Sequence, residues 1–223
     1  EHQTAIAYGN EFKNGYRGRD LSGSGWGMKW DYIIVHESGH EWFGNNITTN
    51  DIADMWVHEG ITHYGEALFT ECQSGKAAGS EYSISIRKLI ANDRPLIGAY
   101  GVNNRGSDDI YYKGGTIIHM IRQLISDDEK FRALLRGLNA DFYHQTVDSR
   151  RIEDYISEKA GIDLSRVFDQ YLRTVNIPTL EYRYNDKTLQ YRWSNCVPGF
   201  NMPLKIFSGG KPLWIYPTEK WKK

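Results

Sequence analysis

The strongest constraint on how this chain folds is a pair of histidines held at helical spacing. In His36-Glu37-Ser38-Gly39-His40, two imidazoles stand four residues apart. On an α-helix such residues share a face, with Cβ atoms about 5–6 Å apart. Apolar residues recur near the helical period through the surrounding stretch. We therefore predict a helix over 29–44 that presents both imidazoles to one ion.

Glu59 is the predicted third ligand, because eighteen residues separate it from His40. The Gly-Asn-Asn run at 44–46 suits the end of the first helix, and Asp54 is the predicted N-cap of a second helix. At a rise of about 1.5 Å per residue, an antiparallel pair of these helices brings His40 and Glu59 level.

The residue types define the chemistry of such a site. Two imidazoles and a carboxylate are the donor set of a catalytic zinc ion, with a fourth position open to water. Glu37 lies about 100° round the helix from His36, so it flanks the ion without ligating it. We predict one Zn²⁺ per chain, with Glu37 as the base for a water molecule. Gly39 inside a helix costs about 1 kcal/mol against alanine, which indicates close packing or function.

The run HESGHEWFGNNITTNDIADMWVHEGITHYGE resembles the core of the aminopeptidase N and leukotriene hydrolase family of zinc metallopeptidases, which are gluzincins. The family pattern is H-E-x-x-H-x-W-x-G-N, then a glutamate eighteen residues beyond the second histidine, followed by Y-x-E. The resemblance implies zinc bound by His36, His40 and Glu59, with Glu37 activating water. It also implies a thermolysin-like, mostly helical catalytic domain that removes N-terminal residues from peptides with a free N-terminus.

The resemblance extends to residues outside the metal ligands. A family Y-x-K-G segment supplies a tyrosine that hydrogen-bonds the tetrahedral oxyanion, which implies this role for Tyr111; Tyr112 is the alternative if the register is off by one. The family's Y-x-E implies that Glu66 orients a zinc-bound imidazole. From the residues alone His63 is an alternative, since it and Glu66 stand four and seven positions after Glu59 on the same helix face.

Glu1 corresponds to the family's G-x-M-E-N segment, whose glutamate binds the substrate α-amine. The glycine and methionine are absent here, and His2 stands in place of asparagine. Because the chain starts where the family has a strand lining the active site, we expect upstream sequence of the parent polypeptide to be missing. Two alternatives stay open. One is a gluzincin endopeptidase, which lacks an amine-binding glutamate; the other is a catalytically silent fragment or scaffold of the same fold.

The pattern along the chain predicts an α+β, mostly helical fold. Beyond a short N-terminal strand and the metal helix, helices are predicted over 54–74, 80–92, 114–126, 127–137, 149–160 and 163–174. The 126–129 run reads as a capping box, and Gly161 as a helix stop. After Pro178 the period changes to alternation on both sides of a turn near 185–186, which predicts a hairpin, and another turn is predicted at 208–210. We therefore assign 1–177 to the catalytic domain and 178–223 to the beginning of a β-sandwich-like module.

Composition excludes several classes of partner. A net charge of −1 gives no electrostatic basis for binding nucleic acid or an anionic membrane. No apolar run approaches the roughly 20 residues of a membrane-spanning helix.

Cys72 and Cys196 form no C-x-x-C motif and are predicted to be free thiols. His58, His119 and His144 are predicted to be packed or solvated rather than ligands. The sequence leaves the cellular compartment and the oligomeric state open.

Overall fold

The computed structural model describes residues 3–185 and 188–223. Within these ranges the fold is mostly helical with small sheets, as the sequence predicted. The helices are α1 (Tyr32–Gly39), α2 (Trp56–Ser74), α3 (Lys76–Ile86), α4 (Tyr112–Ile125), α5 (Asp128–Asp141), α6 (Ser149–Ala160) and α7 (Ser165–Arg173). Short 3-10 turns precede or follow some of them, at Trp26–Lys29, Ile52–Asp54, Arg87–Leu89 and Asp108–Ile110.

Three two-stranded sheets complete the described part of the chain. Strands β1 (Ile47–Thr49) and β2 (Gln145–Val147) are parallel, with Ile47 opposite Gln145. Strands β3 (Thr179–Asn185) and β4 (Thr188–Ser194) form an antiparallel hairpin, and so do β5 (Leu204–Ser208) and β6 (Lys211–Ile215). The hairpin predicted from the alternation between 180 and 193 is therefore confirmed, and the predicted turn at 208–210 joins β5 to β6.

Helix α2 lies at the centre of the helical part, against α1, α3 and α4. Its apolar residues Trp56 and Val57 are fully buried, and its polar face turns toward α1. The two helices approach closely at Gly39, where an added Cβ would lie 2.9 Å from the Thr62 methyl carbon. The close packing predicted at this glycine is confirmed, and it sets the spacing between the two helices that carry the candidate ligands.

The first helix is shorter than the predicted 29–44. Helix α1 starts after Asp31, whose carboxylate accepts the Ile34 N–H, and it ends at Gly39. Beyond it the chain continues in turns, with the Trp42 and Phe43 N–H groups both donating to the Gly39 carbonyl. Because side chains in such turns keep a nearly helical spacing, the apolar period runs past the true end of the helix.

The prediction that Asp54 caps the second helix is wrong. Asp51 caps the 3-10 turn that precedes α2, and its two carboxylate oxygens accept the N–H groups of Ala53 and Gly101. Asp54 is instead buried and accepts the Tyr100 hydroxyl at 2.6 Å. Helix α2 itself follows Met55 and has no side-chain cap, so the aspartate that matches the capping pattern caps the preceding turn instead.

Several other element boundaries also differ from those predicted from the sequence. Helix α3 begins at Lys76, earlier than predicted, because a single residue, Gly75 at φ 94°, separates it from the end of α2. Asp127 rather than Ser126 caps α5, and Ser126 ends α4 in a left-handed conformation. Gly161 ends α6 at φ 67°, as predicted. Residues 3–25 form turns and isolated bridges instead of the predicted N-terminal strand.

The hairpins pack on the helical part through a small apolar group. Phe200 is fully buried between Tyr171 of α7 and Trp193 of β4, and the Val197 N–H donates to the Gln170 side chain at 2.7 Å.

The division at residue 177 stays a prediction. Both cysteines are free thiols, as predicted. In the described ranges, every helix is too short or too polar to cross a membrane.

Candidate metal centre

Helices α1 and α2 bring three donor atoms to one point. The Nε2 atoms of His36 and His40 lie 3.1 Å apart, and the Glu59 Oε2 lies 3.2 and 3.3 Å from them. Ligands at 2.0–2.1 Å from a tetrahedral zinc ion are about 3.3–3.4 Å from one another. All three residues are buried. The donor set and its spacing therefore fit a zinc ion.

The other nitrogen of each imidazole is held by the protein. His36 Nδ1 donates to Glu66 Oε1 at 2.8 Å, and His40 Nδ1 donates to the Phe43 carbonyl at 2.9 Å. In the neutral imidazole, which is the form that binds a metal, these bonds fix the tautomer whose Nε2 lone pair is free. Of the two candidates behind the histidines, it is Glu66 that contacts a ligand imidazole directly.

Charges in the centre favour a cation. Burial disfavours the charged form of His36, but its bonds to Glu59 and Glu66 outweigh that effect and raise the pKa of His36 to about 10. Burial likewise opposes ionisation of Glu59, yet its bonds to His36 and His40 hold the Glu59 pKa well below its usual range. The buried carboxylates therefore stabilise positive charge at the point where the donor atoms meet.

Tyr111 reaches this centre and Tyr112 does not. The Tyr111 hydroxyl donates to Glu59 Oε1 at 3.0 Å, from the residue directly before α4. The Tyr112 ring instead lies edge-on against His63, with centroids 5.4 Å apart. Glu37 follows His36 on α1 and is half-buried. The structure thus brings five of the predicted site residues, the three ligands with Glu66 and Tyr111, into one connected group.

Glu1 lies outside the described residues, so its predicted contact with a substrate amine stays a prediction. The three histidines that the sequence predicted not to be ligands make contacts away from the centre. His58 Nε2 accepts the Thr49 N–H at 3.0 Å, and His119 Nδ1 lies 3.3 Å from the Tyr64 hydroxyl. His144 is exposed and its N–H donates to the Asn46 side chain.

Two tyrosines of the centre escaped the sequence analysis. Tyr82 of α3 donates to Glu66 Oε2 at 2.6 Å, and the Tyr32 ring stacks on His36 with centroids 5.5 Å apart. Tyr32 stands four residues before His36, so helical spacing was a usable signal for it. For Tyr82 no local signal exists, because its position depends on how α3 packs against α2.

The mostly helical fold thus carries a buried His-His-Glu centre whose donor atoms fit a zinc ion. A model of the Peptidase family M1 domain matches residues 28–171, and the chain belongs to that family. Zinc is the metal named for the M1 metallopeptidases among the solved structures that this chain resembles. The resemblance seen in the sequence is thereby confirmed.

Relatives and solved structures agree with this assignment. The chain is 26% identical over 202 residues to aminopeptidase A of Gloydius brevicauda, covering 86% of this chain and 21% of that protein. It is 27% identical over 175 residues to aminopeptidase N of Lactococcus lactis subsp. lactis, covering 70% of this chain and 20% of that protein. The chain thus spans about a fifth of the length of these curated relatives.

Two solved structures share the fold. The M1 zinc metallopeptidase from Deinococcus radiodurans matches with a TM-score of 0.57 and 23% identity, over 69% of this chain and 35% of that chain. Legionella pneumophila aminopeptidase A, solved in complex with aspartic acid, matches with a TM-score of 0.59 and 20% identity, over 85% of this chain and 22% of that one.

Proposed function

We propose that this chain carries the catalytic centre of a zinc aminopeptidase, which hydrolyses the N-terminal peptide bond of peptides. The observation that carries the proposal is the convergence of the His36, His40 and Glu59 donor atoms within 3.1–3.3 Å of one another. The position of Tyr111 at the same centre supports it, and so do the aminopeptidases among the relatives.

The build of the domain is proposed to be thermolysin-like. Its support is the arrangement in which one helix supplies two histidines four residues apart and the next helix supplies the glutamate. We further propose that residues 1–177 form this catalytic domain and that 178–223 begin a β module. The change from helices to hairpins after α7 supports that boundary.

Each residue of the centre has a separate task in the proposed reaction. Zn²⁺ bound there supplies a Lewis acid that polarises the peptide carbonyl and acidifies water. Glu37 takes the proton of the attacking water and later delivers it to the leaving amine. Tyr111 donates a hydrogen bond to the oxyanion that develops on the carbonyl, using the hydroxyl that meets Glu59 in the structure. Glu66 keeps the His36 ring oriented.

Cleavage at the N-terminus is proposed to depend on Glu1. Its carboxylate would pair with the substrate ammonium group, whereas an acylated amine would leave that charge without a partner. This part of the proposal rests on the sequence resemblance and on the relatives, since Glu1 lies outside the described residues. The proposed substrates are therefore peptides with a free N-terminus.

Glu37→Gln tests the proposed base. The amide cannot accept the proton, so we expect turnover to fall by about 10²- to 10⁴-fold, while zinc content measured by metal analysis stays at one ion per chain. Glu41→Gln is the matched control, because Glu41 is exposed and contacts the Asn45 side chain. Near-normal turnover of Glu37→Gln would remove Glu37 from the mechanism.

A second experiment separates aminopeptidase from endopeptidase. Amino-acid anilides with a free amine should be cleaved and their N-acetylated versions refused. Equal cleavage of both would favour the endopeptidase alternative. Zinc binding without cleavage of either substrate would favour a silent fragment, provided that a longer parent polypeptide is active in the same assay.

A further inference from the structure

Glu66 is the meeting point of three buried hydrogen-bond donors, of which only one belongs to a proposed metal ligand. It is 0% exposed. Its Oε1 lies 2.8 Å from His36 Nδ1 and 2.9 Å from His63 Nδ1, and its Oε2 accepts the Tyr82 hydroxyl at 2.6 Å. Both carboxylate oxygens are therefore held, and the carboxylate cannot rotate without breaking a bond.

This cluster joins three helices. His36 comes from α1, His63 and Glu66 from adjacent turns of α2, and Tyr82 from α3. A fully buried carboxylate is unstable unless donors compensate its lost hydration. The donors from α2 and α3 therefore stabilise the Glu66 carboxylate behind His36.

One nitrogen of the buried His63 ring is unsatisfied, which bears on the role of the bond between His63 and Glu66. The residue is 3% exposed, and its Nε2 has no hydrogen-bond partner among the described residues. The ring is enclosed by Tyr112 and by Gly115, where an added Cβ would lie 2.6 Å from His63 Cδ2. An unsatisfied buried nitrogen costs about 1–3 kcal/mol, which an apolar side chain would avoid. The bond from Nδ1 to Glu66 offsets that cost.

We propose that His63 and Tyr82 are positioning residues for the metal centre, which lock Glu66 so that it aims His36 Nε2 at the ion. The inference rests on the proposed zinc ligands. Tyr32 also restrains the His36 ring, because it stacks against it. These contacts run from α3 through Glu66 to α1. A change in the packing of α3 therefore changes the orientation of His36.

The test is the zinc dissociation constant, measured on the full chain by competition with a chromophoric chelator. Loss of an outer partner of a metal-bound histidine weakens metal binding by about 10- to 100-fold. For His63→Leu and Tyr82→Phe, one step further out, we expect about tenfold, the low end of that range. His63→Asn keeps an N–H near the position of Nδ1 and should restore most of the affinity.

Matched controls separate positioning from general destabilisation. His119→Leu removes a histidine of α4 that contacts the Tyr64 hydroxyl. Tyr155→Phe removes a hydroxyl that donates to Asp141. Both should bind zinc like the unmodified chain. The absorption spectrum of the Co²⁺-substituted protein should shift for His63→Leu and Tyr82→Phe, because the ligand field at His36 changes, and should stay unchanged for the controls.

Four results would be decisive. Unchanged zinc affinity and Co²⁺ spectra in both His63→Leu and Tyr82→Phe would overturn the inference, as would equal losses for His63→Asn and His63→Leu. If His63→Leu fails to fold, Tyr82→Phe carries the test because it keeps its ring. Failure of the unmodified chain to bind zinc, or unchanged binding in His40→Ala, would instead refute the proposed metal ligands.

Discussion

Gly60 of α2 and Gly114 of α4 face each other where the two helices cross near the metal centre. A Cβ added to Gly60 would lie 2.9 Å from the Gly114 Cα, and one added to Gly114 would lie 2.8 Å from the Gly60 Cα. Gly60 follows Glu59 directly, and Gly114 stands three residues after Tyr111. This backbone contact therefore sets the distance at which the Tyr111 hydroxyl meets Glu59.

Gly60→Ala should force α4 away from α2. Overpacking of this kind lowers the free energy of unfolding by about 1–3 kcal/mol, which urea denaturation can measure. Gly65→Ala is the matched control on the same helix, because nothing lies within 4 Å of its added Cβ. There we expect a gain of up to about 1 kcal/mol from helix propensity. Equal effects at the two positions would contradict a tight crossing.

Tyr111→Phe should lower kcat more than it changes KM, because the hydroxyl is proposed to stabilise the oxyanion, which forms only after the substrate has bound. Removal of one such donor commonly reduces the rate by about 10²- to 10³-fold. Steady-state kinetics with a free-amine anilide measure both constants. Tyr112→Phe serves as the control one residue away, where the ring packs on His63. A larger kcat loss in Tyr112→Phe would show that the register is off by one.

Removal of zinc should destabilise the chain, since the proposed ligands come from both α1 and α2. An ion that binds only the folded state contributes about 2.7 kcal/mol at a hundredfold excess over its dissociation constant. Thermal unfolding with zinc and with a chelator measures this difference. His40→Asn should abolish it, while His144→Asn, at an exposed histidine, should retain it. A chelator effect in His40→Asn equal to that of the unmodified chain would speak against His40 as a ligand.

The ion pairs of the buried Arg122 should contribute more to the free energy of unfolding than the ion pair of an exposed arginine. Its Nη1 and Nη2 atoms donate to Glu71 at 2.7 and 2.9 Å, and its Nε donates to Asp128 at 2.9 Å, from a residue only 7% exposed. Breaking a fully buried pair costs about 3–5 kcal/mol. Because both carboxylates keep some contact with water, we expect about 2–3 kcal/mol for Arg122→Met by urea denaturation.

The control for this substitution is Arg132→Met. Arg132 pairs with Glu129 at 3.1 Å, but the two side chains are 57% and 80% exposed. Exposed ion pairs contribute at most about 1 kcal/mol, so the variant should unfold at nearly the same urea concentration as the unmodified chain. A similar loss for Arg122→Met and Arg132→Met would show that burial of Arg122 adds nothing.

The parts of the fold that the sequence predicted well are those specified by neighbouring residues. Helix α6 runs over the predicted 149–160 because Asp148 caps its start through the Arg151 N–H and Gly161 ends it at φ 67°. The His36 and His40 pair is equally local, since four residues on a helix place both rings on one face. Such signals need no knowledge of the rest of the chain.

The parts that escaped prediction depend on distant contacts. Strand β1 is only Ile47–Thr49, and its parallel partner β2 begins at Gln145, so neither shows an alternating pattern that marks a strand. The bond between Tyr82 and Glu66 spans sixteen residues and two helices. Three-residue strands and single hydroxyl contacts are decided by packing, which no window of local sequence contains.

His119 should make the folded chain sensitive to mild acid. Burial, together with the nearby charges of Arg122 and Arg87, lowers the pKa of His119 to about 4, although Glu71 acts in the opposite direction. An unfolded histidine titrates near 6.5. As the pH falls, the unfolded state therefore takes up the proton first, and stability is lost between about pH 6.5 and 4. Above that range the histidine is neutral in both states and has no such effect.

His119→Gln removes this titration, because glutamine stays neutral. The pKa difference corresponds to at most about 2 kcal/mol at pH 5. Urea denaturation of the zinc-free protein at pH 7.5 and pH 5 should therefore show that the variant loses up to about 2 kcal/mol less than the unmodified chain over this interval. Zinc-free protein is required so that loss of the metal at the lower pH does not add to the measured difference. His144→Asn, at an exposed position, should follow the unmodified chain, and a His119→Gln profile that does the same would show that His119 is not held neutral in the fold.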